Sequence, residues 1–178
     1  MSKRISRQGW LDMGLETLGA AGVPGLTIER MTGELGVTKG SFYHHFRNVQ
    51  DFQEQLIAHW SDQYLGAASQ LPQDPGELLT LLDAIMQEAF GPVTEPELAI
   101  RVWAHQDDTV RAHVEKVDAA RRDFVLDVFR ALTENERQSQ LMADMLFALS
   151  IGSITVLPRI PAERVLDLYR EFKRLYGL

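Results

Sequence analysis

Residues Thr38-Lys39-Gly40-Ser41-Phe42-Tyr43-His44-His45-Phe46 combine a cation, several hydrogen-bond donors and an aromatic hydroxyl with two phenylalanines four positions apart. On a helix, positions four apart share a face. Phe42 and Phe46 therefore turn one way, and Lys39, Gly40, Tyr43 and His44 largely turn the other. The outward set is short, basic at its start, and made of groups that donate to phosphate oxygens or to base edges. Thr38 reads as the N-cap of this helix, and a helix N-terminus attracts phosphate. The chemistry on offer is recognition of a nucleic-acid groove, not bond-making.

Two histidine groups offer an alternative. His44 and His45 are adjacent, and neighbours on a helix point about 100° apart, so they do not easily share one ion. His105, Asp107, Asp108 and His113 have ligand chemistry without an established metal spacing, and a loop capping the next helix accounts for them better. No nucleophile–base pair or phosphate loop accompanies them. The chain has no cysteine, which removes disulfides, thiolate metal sites and cysteine nucleophiles. It reads as a non-enzyme with no metal and no cofactor.

The elements that must hold the recognition segment are helical. Leu11, Gly14, Leu15 and Leu18 follow the spacing of one buried helix face. That first helix ends near Gly22, and Pro24-Gly25 marks the break. Thr27 is the expected N-cap of a short second helix, Ile28 to Leu35, with Glu29 favourable in its first turn. Ile28, Met31 and Leu35 form its apolar face. Gly36 supplies a left-handed turn, and the third helix runs from Thr38 to about His45. Two short helices across a glycine turn make a helix-turn-helix.

The rest of the chain continues in the same period. A long helix is expected from Val49 to about Ala68, followed by a loop over 71–76. Asp74, Pro75 and Glu77 open the next helix, which stops at Gly91-Pro92. Thr94 and Glu97 repeat the capping-box spacing, and a short helix follows to about His105. Val110, Val114, Val117, Phe124, Val128 and Leu132 form the stripe of a long amphipathic helix. Thr133 and Glu136 open another helix ending near Pro158, and Pro161 starts the last. About nine helices and no strand make an all-α chain. We divide it into a helix-turn-helix domain, 1–48, and a helical sensor and dimerisation domain, 49–178.

Charge is distributed unevenly over the 178 residues, whose formal net charge is -7. Residues 1–50 carry six basic and four acidic side chains, and residues 51–178 carry twelve and twenty-one. An acidic body repels phosphates and favours approach by the N-terminal face. No run approaches the roughly 18 apolar residues a membrane span needs, and no apolar stretch follows the polar, basic start as in a signal peptide. The expected location is cytoplasmic, with no membrane partner.

The whole recognition segment resembles the TetR family of regulators. The resemblance rests on Gly25-Leu26-Thr27, on Leu35-Gly36-Val37, on Phe42-Tyr43-His44-His45-Phe46, and on Trp10-Leu11 with Met13-Gly14-Leu15 in the first helix. It covers about residues 5–56; beyond them the chain is similar in architecture only. It implies a homodimer on a palindromic duplex operator, acting as a repressor released by a small ligand. Carried over by position, Tyr43 donates to a phosphate. Lys39, Gly40 and Ser41 face bases or their backbone, and Thr38 caps the helix and reaches a phosphate. Thr27 and His44 complete the DNA-facing set. The family commonly has lysine where this chain has Val49, so Arg47 is expected to supply that charge. Gly9, Gly14 and Gly19 each cost about 1 kcal/mol against alanine inside a helix, so the first helix depends on packing.

In the helical body, His59, Trp60, Met86, Phe90, Trp103, Phe124 and Met145 are candidates to line a pocket for a small apolar ligand; core packing explains the same spacing. Leu141, Met142, Met145, Leu146, Leu149 and Ile154 leave one helix little polar surface, and Leu168, Tyr169 and Phe172 repeat this on the last. Two such helices from each subunit would make a four-helix dimer interface. Burial inside one subunit is the competing explanation. Two rival functions stand beside the regulator. One is a helical protein-interaction dimer that has lost DNA binding, supported by the weak basic charge and Val49. The other is a small enzyme using His105, Asp107 and His113.

Overall fold

The computed structural model describes residues 5–65, 72–90 and 95–178, with the side chains of Tyr64, Ala89, Phe90 and Glu95 outside the description. Among the described residues there are nine α-helices and no strand, as the periodicity requires. They are α1 (Arg7–Ala21), α2 (Ile28–Leu35), α3 (Lys39–Tyr43), α4 (Val49–Leu65), α5 (Pro75–Phe90), α6 (Glu95–Ala104), α7 (Asp108–Leu132), α8 (Glu136–Thr155) and α9 (Ala162–Tyr176). A short 3-10 turn, Val23–Gly25, links α1 to α2.

The helices pack into two compact units. The first comprises Met1–Ala67 and Thr94–Val117, the second Ala68–Val93 and Asp118–Leu178. This division by packing differs from the division at 48/49 drawn from the motif. The reason is a shared core. Phe52, Leu56 and Trp60 of α4, Ile100 and Trp103 of α6, and Val110 to Val117 of α7 are buried with Trp10, Met31, Phe42 and Phe46. The helix-turn-helix therefore has no separate core of its own.

Close packing of α1 on α4 explains one of the glycines in α1. A Cβ added at Gly14 would lie 2.5 Å from the Phe52 ring and 2.9 Å from Leu56. The missing side chain is what lets the two helices approach. The propensity cost of Gly14 is thus offset by burial of Phe52 and Leu56, both fully inaccessible.

The second unit is built on α5, α8, α9 and the later part of α7. Leu78, Leu82 and Met86 pack with Val125, Val128 and Phe129, with Met142 and Leu146, and with Val165, Tyr169 and Phe172. Asp83 of α5 accepts from the Tyr169 hydroxyl at 2.7 Å and from Lys173 at 2.6 Å, joining α5 to α9. Burial, and then the hydrogen bond to Asp83, push the Tyr169 phenol well above its ordinary pKa.

Most helix ends follow their expected caps. Thr27 Oγ1 accepts from Arg30 N at 3.3 Å, and Asp74 Oδ1 accepts from Glu77 N at 3.0 Å. Gly36 closes α2 in the left-handed region, φ 67 and ψ 37. Other ends differ. The cap of α8 is Asn135, whose side chain accepts from Gln138 N at 3.1 Å. Thr133 instead accepts from Asn135 N, so its hydroxyl lies two residues before the cap and does not open the helix. Helix α8 ends at Thr155, short of Pro158. Ala68, Leu71, Gly91-Pro92 and Thr94 lie outside the described residues.

Candidate nucleic-acid interface

Helix α3 is only five residues long and depends on what lies beneath it. Phe42 is fully buried. Its ring sits 5.4 Å from Trp10 edge to face, 5.2 Å from Phe46 and 5.7 Å from Phe52. Phe46 in turn meets Phe52 edge to face at 4.9 Å. Aromatic pairs in such geometries add to the energy of burial. The chain also turns onward without losing its ladder: His44 N and Phe46 N donate to Gly40 O and Phe42 O. At the other end of the helix, Val37 N donates to Thr32 O at 3.0 Å across the Gly36 turn. The result is a short helix fixed from below and from both ends.

Its upper face is polar and accessible. Thr27, Thr38, Lys39, Gly40, Tyr43, His44 and Arg47 are exposed, and Ser41 is half-buried. Tyr43 presents over half of its surface to solvent. The structure thus brings all eight expected DNA-facing residues onto α2, α3 and the turns around them. Thr38 occupies the N-cap position with extended backbone, but its side chain makes no capping bond. Its role as a side-chain cap is corrected: the hydroxyl is left to other acceptors. At Gly40 an added Cβ would meet nothing closer than Thr38 Oγ1 at 3.6 Å. The fold itself therefore does not demand glycine there, whereas a closely approaching backbone would.

The cations of this surface are all engaged. Lys39 pairs with Glu29 across the turn, Arg30 with Glu34 at 2.8 Å, and Arg47 with Asp51 at 3.0 Å. The hydrogen bond from Lys39 lowers the Glu29 pKa, and Glu29 raises that of Lys39. Asp51 is held most firmly. It accepts from Arg47 N at 2.8 Å, from the Arg47 guanidinium and from Gln55. These bonds, led by the backbone one, bring its pKa down to about 2. Arg47 remains 83 % exposed despite its partner. Val49 packs partly buried against the first core, so its side chain is committed to packing and Arg47 is the cation beside it.

The histidines separate. His45 Nε2 lies 2.9 Å from the carbonyl of Ile5, tying the end of α3 to the start of the chain, while His44 stays exposed. Asp107 accepts from Thr109 N and Val110 N and so caps α7. His113 Nδ1 lies 2.9 Å from Ser61 Oγ, a buried hydroxyl of α4. His105 is exposed. Among the described residues no group of three acidic or histidine side chains is placed to hold a metal ion, and no helix is long and apolar enough to cross a membrane.

No protein-family model matches the sequence, and no curated protein matches it. Solved structures do. A transcriptional regulator from Rhodococcus sp. Rha1 superposes with a TM-score of 0.63 at 19% identity, over 92% of this chain and 93% of that one. A member of the TetR family from Streptomyces coelicolor A3 gives 0.59 at 22% identity, over 93% and 96%. The multidrug binding protein EbrR, complexed with malachite green, gives 0.59 at 19%, over 93% and 96%. The chain has the TetR-type fold. The TetR-type neighbours span nearly its full length, so the likeness extends well past residues 5–56, into helices whose sequence carries no motif.

The ligand candidates fall into separate places. Trp60 and Trp103 are buried in the first core; Met86 is buried in the second, with Phe124 packed partly buried against it. His59 sits in a polar group on α1 and α4, with Asp12 Oδ1 at 3.1 Å and Gln8 and Gln63 at similar range. The Phe90 side chain lies outside the described residues. Met145 is exposed.

The dimer candidates divide by burial. Met142, Leu146, Ile154, Tyr169 and Phe172 are buried within the chain itself, and Leu149 is half-buried. Within the single chain these five side chains keep less than a tenth of their surface accessible. Met145 and Leu168 do face outward, together with Leu141 and Leu175. Leu141, Met145, Ala148 and Gly152 lie at helical spacing on α8, and a Cβ added at Gly152 would meet nothing within 4 Å. Hydropathy alone does not tell the exposed Leu141 and Leu175 from their buried neighbours.

Proposed function

We propose that this chain is a DNA-binding transcription regulator. It acts as a homodimer on a palindromic operator, as a cytoplasmic repressor released by a small apolar ligand. The observation that carries the reading is the construction of α3: an outward polar set, Thr38 to Tyr43, mounted on the buried rings of Phe42 and Phe46. A rigid short helix with donors at its exposed N-terminal end suits the major groove. Residues 1–48 form the DNA-reading part in this account, with Tyr43 and Thr38 on phosphates and Lys39, Gly40 and Ser41 toward bases. Arg47 supplies the flanking phosphate contact.

Dimerisation uses the outward apolar residues Leu141 and Met145 of α8 with Leu168 and Leu175 of α9. Buried Met142 and Phe172 support that face from beneath. The ligand-bound state of EbrR supports a small-molecule site in the helical body. A ligand that prefers one arrangement of the dimer shifts the population away from the DNA-competent form. By linkage, its affinity must then differ with and without operator; equal affinities would remove the coupling.

The test is titration of genomic duplex DNA at several salt concentrations. The reading predicts binding that weakens steeply as salt rises, because bound cations displace counterions. No binding at low salt by folded protein would leave a helical interaction dimer in its place.

A further inference from the structure

The proposed DNA-reading surface carries an exposed acid, Glu29, beside Lys39. Glu29, second residue of α2, pairs with Lys39, first residue of α3, and both side chains are mostly exposed, at 69% and 58%. An exposed pair of this kind contributes little to folding. A carboxylate facing phosphates is repelled unless it meets a donor. The neighbouring acids have inward partners: Glu34 accepts from Thr17 as well as Arg30, and Asp51 accepts from the Arg47 backbone. Glu29 is instead held by a side chain that itself points to the bases in the reading above.

The major-groove edge offers two kinds of donor, the amino groups of cytosine N4 and adenine N6. In a G·C pair, the guanine acceptors N7 and O6 lie together beside the cytosine amino group. An ammonium and a carboxylate joined side by side present the complementary order. In an A·T pair the amino group has one acceptor on each side, so the ammonium meets one acceptor in place of two. We propose that Glu29 reads a base, and that Glu29 and Lys39 together recognise one G·C pair in each half-site. Glu29 accepts from cytosine N4, and Lys39 donates to guanine O6 and N7. Opposite a base without an amino group, the Glu29 carboxylate is desolvated with no donor, which disfavours the wrong sequence. Glu29 thereby excludes as well as selects. This inference rests on the DNA-binding reading.

The test selects retained duplexes from a random pool with wild type, E29A and E29Q, and compares base preference position by position. Wild type is expected to fix a G·C pair at one position of each half-site. E29A relaxes that position by about tenfold, the scale of one base contact, and leaves the others as they were. E29Q moves the same position toward A·T, because a glutamine amide pairs with adenine N6 and N7. E29A also binds random-sequence DNA more tightly than wild type. If wild type selects a defined site and both variants keep its preference at every position, Glu29 is only the structural partner of Lys39 and the inference is overturned. If wild type binds no DNA at low salt, the DNA-binding reading fails and the inference falls with it.

Discussion

The helix-turn-helix and the α8–α9 pair both place apolar side chains on helices, yet they use them in opposite ways. In the first, apolar and polar residues separate cleanly. Phe42 and Phe46 are buried, and Lys39, Tyr43 and His44 are exposed. In the second, apolar residues occupy both sides. Met142 and Leu146 point into the subunit, while Leu141 and Met145, one position before each, point out. A helix with a polar face announces its orientation in its sequence. A helix apolar all round does not, because both the interior and a partner surface draw the same residue types.

The largest expected effect breaks the first region. Phe42→Ala removes the ring that contacts Trp10, Phe46 and Phe52. It should destabilise by about 3–5 kcal/mol, read by chemical denaturation. A loss under 1 kcal/mol would mean that α3 is not held by this aromatic floor.

The second region can be divided by two substitutions. Met142→Ala should cost about 2–5 kcal/mol as a core truncation, again by denaturation. Leu141→Glu with Met145→Glu should leave the subunit folded and convert dimer to monomer in sedimentation. A dimer that survives the double substitution would move the interface elsewhere. A monomer produced by Met142→Ala alone, with stability retained, would reverse the assignment of inside and outside.

Smaller effects test the polar face. Tyr43→Phe keeps the ring against Phe42 and removes the exposed hydroxyl. Affinity for all duplex sequences should fall about tenfold, the scale of a hydrogen bond to a charged group, without change in the thermal midpoint. An unchanged affinity would take Tyr43 out of the interface. Smallest is the acid limb at Asp51. Its pKa of about 2 lies below the ordinary carboxylate value of 3.8. The depressed value means that Asp51 stabilises the fold above pH 4, and that this contribution fades as pH falls toward 2. Asp51→Asn should be less stable at neutral pH and should lose that part of the acid sensitivity, seen in denaturation midpoints between pH 5 and 2.

How far the sequence spoke follows from the same contrast. Helix periods, the Gly36 turn, the caps at Thr27 and Asp74, and the outward set on α3 were all legible, because each depends on local spacing. The ion pair of Glu29 with Lys39 was not, since a separation of ten residues carries no signal until the turn is folded. The role of Gly14 was read as a helix weakness and became clear only when Phe52 appeared against it. The packing units were not legible for a similar reason: α4 and α6 share a core with α1 through contacts distant in sequence.

DNA reading by α3 is tested most directly by selecting duplexes that the wild-type protein retains from a random pool, followed by sequencing. Two recognition helices carried by one dimer predict an enriched palindrome whose half-site centres lie about 34–36 Å apart along the helix. No enrichment at low salt, from protein that unfolds cooperatively, would contradict the claim that residues 38–47 read DNA.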